Sequence, residues 1–221
     1  MSVKVKVCGI TRAADALLAS DLGASAVGFV FWEKSPRSID PESARAIVSV
    51  LPPDVAAIGV FVDPPTQYLA DVVGHVGLAA VQLHGDETPE SCRNLPYRVM
   101  KSVSVAEAVE DERLTRWPES IMVLLDAADP VRKGGTGQTI DWGIAARVSA
   151  RRRVFLAGGL TASNVGEAVK RVRPYAVDVS SGLEASPGVK APDLMQSFFE
   201  AVSATGAAAE ERGRWAMENQ P

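Results

Sequence analysis

Cys8 closes the run VKVC near the start of the chain and is followed at once by Gly9. A cysteine there has two chemistries. Inside a core it is a small hydrophobe. At the mouth of a site it is a titratable group whose thiolate does the work. Asp126 likewise ends an apolar run, IMVLLD, ahead of a glycine-rich stretch, and His84 follows AVQL. Lys34 and Arg37 lie in the segment FWEKSPRSI, and Asp178 opens DVSSGLE. Two further segments suit an anion. Gly158 and Gly159 in LAGGLT, with Ser180, Ser181 and Gly182 in DVSSGLE, can turn backbone N–H groups and hydroxyls toward a phosphate. The run Gly134, Gly135, Thr136, Gly137 sits in a connection too long for an ordinary strand-to-helix loop, which suits a lid that excludes water.

Elements must place these residues. Nearly continuous apolar runs occur at Val3–Val7, Ala26–Phe31, Ala57–Val62, Ala79–Leu83, Arg98–Ser102, Ile121–Leu125, Val154–Leu156 and Ala176–Val179. Such runs suit parallel strands covered on both faces. Helix-like segments alternate with them: Ala13–Leu22, Pro41–Leu51, Pro65–Val73, Glu87–Leu95, Val105–Arg116, Trp142–Ala150, Ala162–Val172 and Pro192–Ser203. Asp40 before Pro41 is a helix start, and Thr161 with Asn164 marks another. Eight strand–helix units in this length predict an α/β fold, a single (β/α)8 TIM barrel, with an open doubly wound sheet as the alternative. The barrel is expected over residues 1–204. Residues 205–221 are expected to form a short polar C-terminal extension, helical over 207–214 and docked by Trp215. In a barrel, function collects where strands end, and the singled-out residues all fall there.

Composition removes several classes. The chain is 47% hydrophobic and 23% charged, an ordinary globular balance. A net charge of −4 with no basic stretch argues against nucleic acid. The longest run without Asp, Glu, Lys or Arg is 14 residues, below the roughly 20 of a spanning helix, so no membrane is expected. The N-terminus lacks a signal-peptide core. Two cysteines, Cys8 and Cys92, are too few for a disulfide scaffold, so a cytoplasmic location is expected. Two histidines and no ligand cluster argue against a metal.

KVCGIT, SPRSI, IGVFV, QLHG, LLDA with GGTGQTIDW, LAGGLTASNV, and DVSSGLE with PGVK together resemble the phosphoribosylanthranilate isomerase family, from about Val3 to about Val202. The resemblance implies an Amadori rearrangement in tryptophan biosynthesis. A furanose bearing an aromatic amine opens to a Schiff base, and a proton leaves C2'. That gives an enol-amine and then an aminoketone. The reaction needs an acid and a base and no cofactor. By resemblance Cys8 is the general base, with a lowered thiol pKa and with Gly9 making room beside the substrate. Asp126 is the general acid, kept protonated by the closed lid, with loop residue Asp129 excluded. Arg37 holds the anthranilate carboxylate, with Lys34 as its local rival. Asp178 positions the sugar. His84 either lines the pocket or ties two strand ends together. The only partner implied is a small phosphosugar, bound by a monomer or a homodimer.

One departure stands out. Ala191 follows PGVK where many members of the family carry an acidic residue, so Asp193 is expected to cap the last helix. A phosphate-binding barrel without catalysis is the rival from another class, and it has no need of a Cys8/Asp126 pair.

Overall fold

The computed structural model describes residues 3–104, 116–127 and 140–207. Eight strands, β1 (Lys4–Cys8), β2 (Ala26–Val30), β3 (Ala56–Phe61), β4 (Ala80–Leu83), β5 (Val99–Ser104), β6 (Met122–Asp126), β7 (Val154–Leu156) and β8 (Ala176–Val179), pair in parallel and in chain order. β8 returns to β1 with Lys6 opposite Asp178, so the sheet closes into a barrel and the open-sheet alternative falls away. The described helices are α1 (Ala13–Asp21), α2 (Pro41–Val48), α3 (Thr66–Val76), α4 (Pro89–Arg93), α5 (Trp142–Ser149), α6 (Val165–Val172) and α7 (Pro192–Val202). The helix expected over 105–116 and the tail beyond 207 lie outside the described residues, Arg116 excepted.

Strand periodicity splits the core in two. Val5, Val7, Val27, Phe29, Val81, Leu83, Val123 and Leu125 pack with the helices in one large cluster. The alternate positions Ala26, Ile58, Ala80, Met100, Leu124, Phe155 and Ala176 form a second cluster. Because side chains alternate across a strand, the second set fills the barrel interior. The interior is thus plugged at one end, and polar residues occupy the other.

Helix ends follow local chemistry. Asp40 accepts the Ser43 N–H at 2.9 Å ahead of Pro41, as the sequence predicts. α4 begins two residues later than expected, because Thr88 and Ser91 form its capping box while Glu87 turns back to bind Lys101 at 2.8 Å. α3 runs through Gly74 and stops at Gly77, whose φ of 78° supplies a left-handed cap. α6 starts at Val165 rather than Ala162. Asn164 accepts the Thr161 N–H at 2.8 Å and donates to the Gly159 carbonyl at 2.9 Å, so these residues brace the β7 loop instead of joining the helix. Asp193 does not cap α7. Ala191 holds that place with no side-chain bond, and Asp193 only complements the first-turn dipole. A two-stranded hairpin, β9 (Glu184–Ser186) and β10 (Val189–Lys190), turns at Pro187-Gly188 beside the barrel mouth; sequence periodicity does not reveal it.

Candidate active site

β1 and β6 end at the same mouth, so the last residue of each, Cys8 and Asp126, faces one cavity of about 470 Å³. Arg37, His84 and Asp178 line it as well. So do Gly158 and Gly159 after β7, and Ser180, Ser181 and Gly182 after β8. Strand ends far apart in the chain have brought the thiol, the carboxyl and the loops after β7 and β8 together. The expected lid residues, Gly134 to Gly137, and Asp129 lie outside the described residues.

Asp126 is 8% exposed, and burial pushes its carboxyl up to about 6, opposed by the Ala127 N–H that donates to Oδ1 at 2.8 Å. The nearby Asp178 charge adds to the rise, and Lys6 works against it. Desolvation at the barrel mouth is the largest influence on this carboxyl. His84 holds Nε2 3.7 Å from Asp126 Oδ2, so it stands in the pocket beside the carboxyl.

Cys8 packs between Val30 and Val60 and is 8% exposed. Its thiol departs from the expectation. Burial pushes it up, Lys6 pulls it down, Asp178 pushes it up again, and burial wins. The expected lowering is therefore not a property of this arrangement. Gly9 also has a different task. Its φ is 74°, and a methyl there would stand 2.7 Å from Arg37 Cδ and 3.0 Å from Ser180 Oγ. It makes room for Arg37 and Ser180 at the mouth.

Arg37 is held by its own chain. Nε and Nη2 donate to Glu184 at 2.8 and 2.7 Å, which leaves Nη1 outside the pair. Lys34, its rival, also lines the cavity. Glu184 further accepts from Lys190 Nζ at 2.9 Å. Burial pushes the Glu184 carboxyl up, but Arg37 and Lys190 together bring it below the usual range.

The loops after β7 and β8 approach each other closely at their backbones. Gly158 and Gly159 both take positive φ, 88° and 60°. A methyl at Gly182 would run into the Leu160 carbonyl, so glycine lets the β7 and β8 loops touch. Ser180 buries its Oγ without a hydrogen-bond partner, and among the described side chains none competes for it.

Four residues at this mouth escape a reading of sequence. Lys6 is fully buried with Nζ 2.8 Å from Asp178 Oδ1. Gln82, 1% exposed, lines the cavity with Oε1 unmatched. Lys190, 1% exposed, donates to the Cys8 carbonyl at 2.6 Å and the Ser180 carbonyl at 3.1 Å, and Glu184 holds both it and Arg37. The available signal for Lys6 and Gln82 was a polar residue inside an apolar strand. Nothing local marks Glu184 or Lys190. Among the described residues no group of three or more His, Cys, Asp or Glu could hold a metal ion, and no helix is long and apolar enough to cross a membrane.

The family described as PRAI, N-(5'phosphoribosyl)anthranilate (PRA) isomerase, matches residues 5–201. An N-(5'-phosphoribosyl)anthranilate isomerase of Pelobacter propionicus is 47% identical over 203 residues, spanning 92% of this chain and 97% of its own. The crystal structure of phosphoribosyl anthranilate isomerase from Thermotoga maritima matches with a TM-score of 0.85 at 43% identity, covering 91% of this chain and 99% of that one. A phosphoribosyl anthranilate isomerase in complex with reduced 1-(o-carboxyphenylamino)-1-deoxyribulose 5-phosphate matches with a TM-score of 0.82 at 42% identity, over the same shares.

Proposed function

This chain belongs to the N-(5'-phosphoribosyl)anthranilate isomerase family, and on that premise we propose how its own residues carry the reaction. The enzyme converts N-(5'-phosphoribosyl)anthranilate to 1-(2-carboxyphenylamino)-1-deoxyribulose 5-phosphate, a step of tryptophan biosynthesis. Asp126 gives its proton to the ring oxygen as the C1'–O bond breaks. The aniline nitrogen's lone pair then forms the C=N bond. The Cys8 thiolate takes the proton from C2', and the C–H electron pair becomes the C1'=C2' bond, which neutralises the nitrogen. The resulting enol tautomerises to the ketone.

The observation that carries this assignment is the buried thiol and the buried carboxyl at the ends of two strands that face one cavity. With its carboxyl at about 6, Asp126 is protonated in about one molecule in ten at pH 7, far more often than a solvated aspartate. The thiolate is the rarer form, so the productive protonation state is a minority one.

The GG and SSG loops take the phosphate, and the Ser180 hydroxyl donates to it. Asp178 meets the sugar from β8. Arg37 meets the anthranilate carboxylate through Nη1, with Glu184 fixing the plane of the guanidinium. The enzyme works in the cytoplasm as a monomer or a homodimer.

Substrate generated in situ and followed by its fluorescence tests the assignment. Turnover by the native chain, and its loss by at least a hundredfold in Cys8→Ser and in Asp126→Asn, is expected. Native-like turnover in either variant removes that residue from its role.

A further inference from the structure

The barrel interior is apolar up to its upper layer, yet Lys6 stands inside it with no exposure at all. Lys6 and Cys8 are two residues apart on β1, so both side chains point inward. Register sets Lys6 opposite Asp178 on β8, and the two close a 2.8 Å ion pair. Register on the other side sets Cys8 opposite Gly28 on β2. A methyl at Gly28 would stand 2.8 Å from the Cys8 sulfur and 3.1 Å from Lys6 Nζ. Sulfur and ammonium therefore share the small gap that the missing side chain leaves.

We propose that Lys6 is a positioning residue for the isomerisation: its buried ammonium, anchored by Asp178, lies beneath Cys8 and stabilises the thiolate form of the base. The proposal rests on Cys8 being the base. It gives a reason for burying a lysine that touches no outer surface. An uncompensated ammonium in an apolar interior is costly, and Asp178 offsets that cost for Lys6.

The charges around Cys8 support one direction. Lys6 lies below it, and Lys190 of β10 reaches its carbonyl. Asp178 of β8 opposes ionisation from beside Lys6. Asp126 of β6, His84 after β4, and the Arg37–Glu184 pair stand around the same cavity. Of the named influences on the thiol, Lys6 is the largest that favours its charged form. Lys6 itself stays charged, because Asp178 and Cys8 outweigh its burial. The same ammonium also favours the ionised form of Asp126, as the last of the named influences there.

The test reads the thiol directly. Iodoacetamide modification of Cys8, scored by peptide mass in a Cys92→Ser background, is followed against pH to find the midpoint of the reactive form. An opposite charge a few ångströms away moves a titration by about 1 to 3 pH units. Lys6→Met should raise the midpoint by that much. Asp178→Asn, which leaves the ammonium unopposed, should lower it. A residue that only braces the fold would not move the two variants in opposite directions. If Lys6→Met does not fold, the double variant Lys6→Met/Asp178→Asn removes both charges together, and its midpoint must lie above that of Asp178→Asn. Equal midpoints in the native chain and Lys6→Met, or in the double variant and Asp178→Asn, overturn the proposal. The alkaline limb of kcat/KM should follow the midpoint in Lys6→Met. A shifted midpoint together with native turnover in Cys8→Ser would leave the Lys6–Cys8 coupling intact and sink the role of Cys8 as base instead.

Discussion

Asp126→Asn should make the protein more stable while it abolishes turnover, and the size of the gain should depend on pH. The carboxyl titrates at about 6 in the fold against an ordinary 3.8. Folding therefore takes up a proton between those values. The protonated carboxyl is compatible with its dry site at low pH, and that compatibility is lost as pH rises through 6. At 1.36 kcal/mol for each pH unit of separation, titration of Asp126 destabilises the fold at pH 8 by about 3 kcal/mol, and at pH 5 by roughly half as much. Asparagine keeps the shape and an oxygen for the Ala127 N–H, and it never ionises. The variant should gain about 3 kcal/mol at pH 8 and roughly half of that at pH 5. For a chain of this size the larger gain is about 6–12 °C in Tm. Urea titrations of both proteins at the two pH values measure it, beside fluorescence turnover on the same samples. Equal stability at pH 8, or a gain that does not change with pH, would falsify the claim that burial holds this carboxyl up.

Other outcomes follow from the same geometry. The Cys8 thiol of the free enzyme should react with iodoacetamide only as pH climbs past the roughly 8.5 of an ordinary thiol, and a midpoint below that contradicts the burial argument. Glu184→Ala leaves Arg37 and Lys190 without their shared carboxylate, so it should cost about 3 kcal/mol in a urea melt and raise KM more than it lowers kcat; an unchanged KM removes Glu184 from the orientation of Arg37. Gly182→Ala forces the β7 and β8 loops apart and should weaken inhibition by inorganic phosphate by roughly tenfold, about 1.4 kcal/mol; equal inhibition places the phosphate elsewhere. Gln82→Met removes a buried, unmatched amide oxygen and should leave stability within about 1 kcal/mol of native or better, whereas a loss above about 2 kcal/mol reveals a partner for that oxygen.

The barrel was legible because its causes are local. Nearly continuous apolar runs, alternating with helix-like segments, demand parallel strands and crossover helices, and eight such units suffice for closure. Strand ends carried the candidates, since Cys8 and Asp126 each terminate a run that the chain itself announces. Boundaries slipped where a side chain had a distant use. Glu87 binds Lys101 instead of starting α4, and Asn164 braces Gly159 instead of extending α6. What the order of residues determined on its own was the layout, the mouth at which chemistry gathers, and the glycines that open it. Tertiary structure alone decided the electrostatics of that mouth. Lys6 meets Asp178 across 172 residues, and Lys190 meets the Cys8 carbonyl across 182. Whether a lysine in KVKV faces water or the barrel axis depends on which strand closes against it. Whether a thiol is raised or lowered depends on how much water that closure removes.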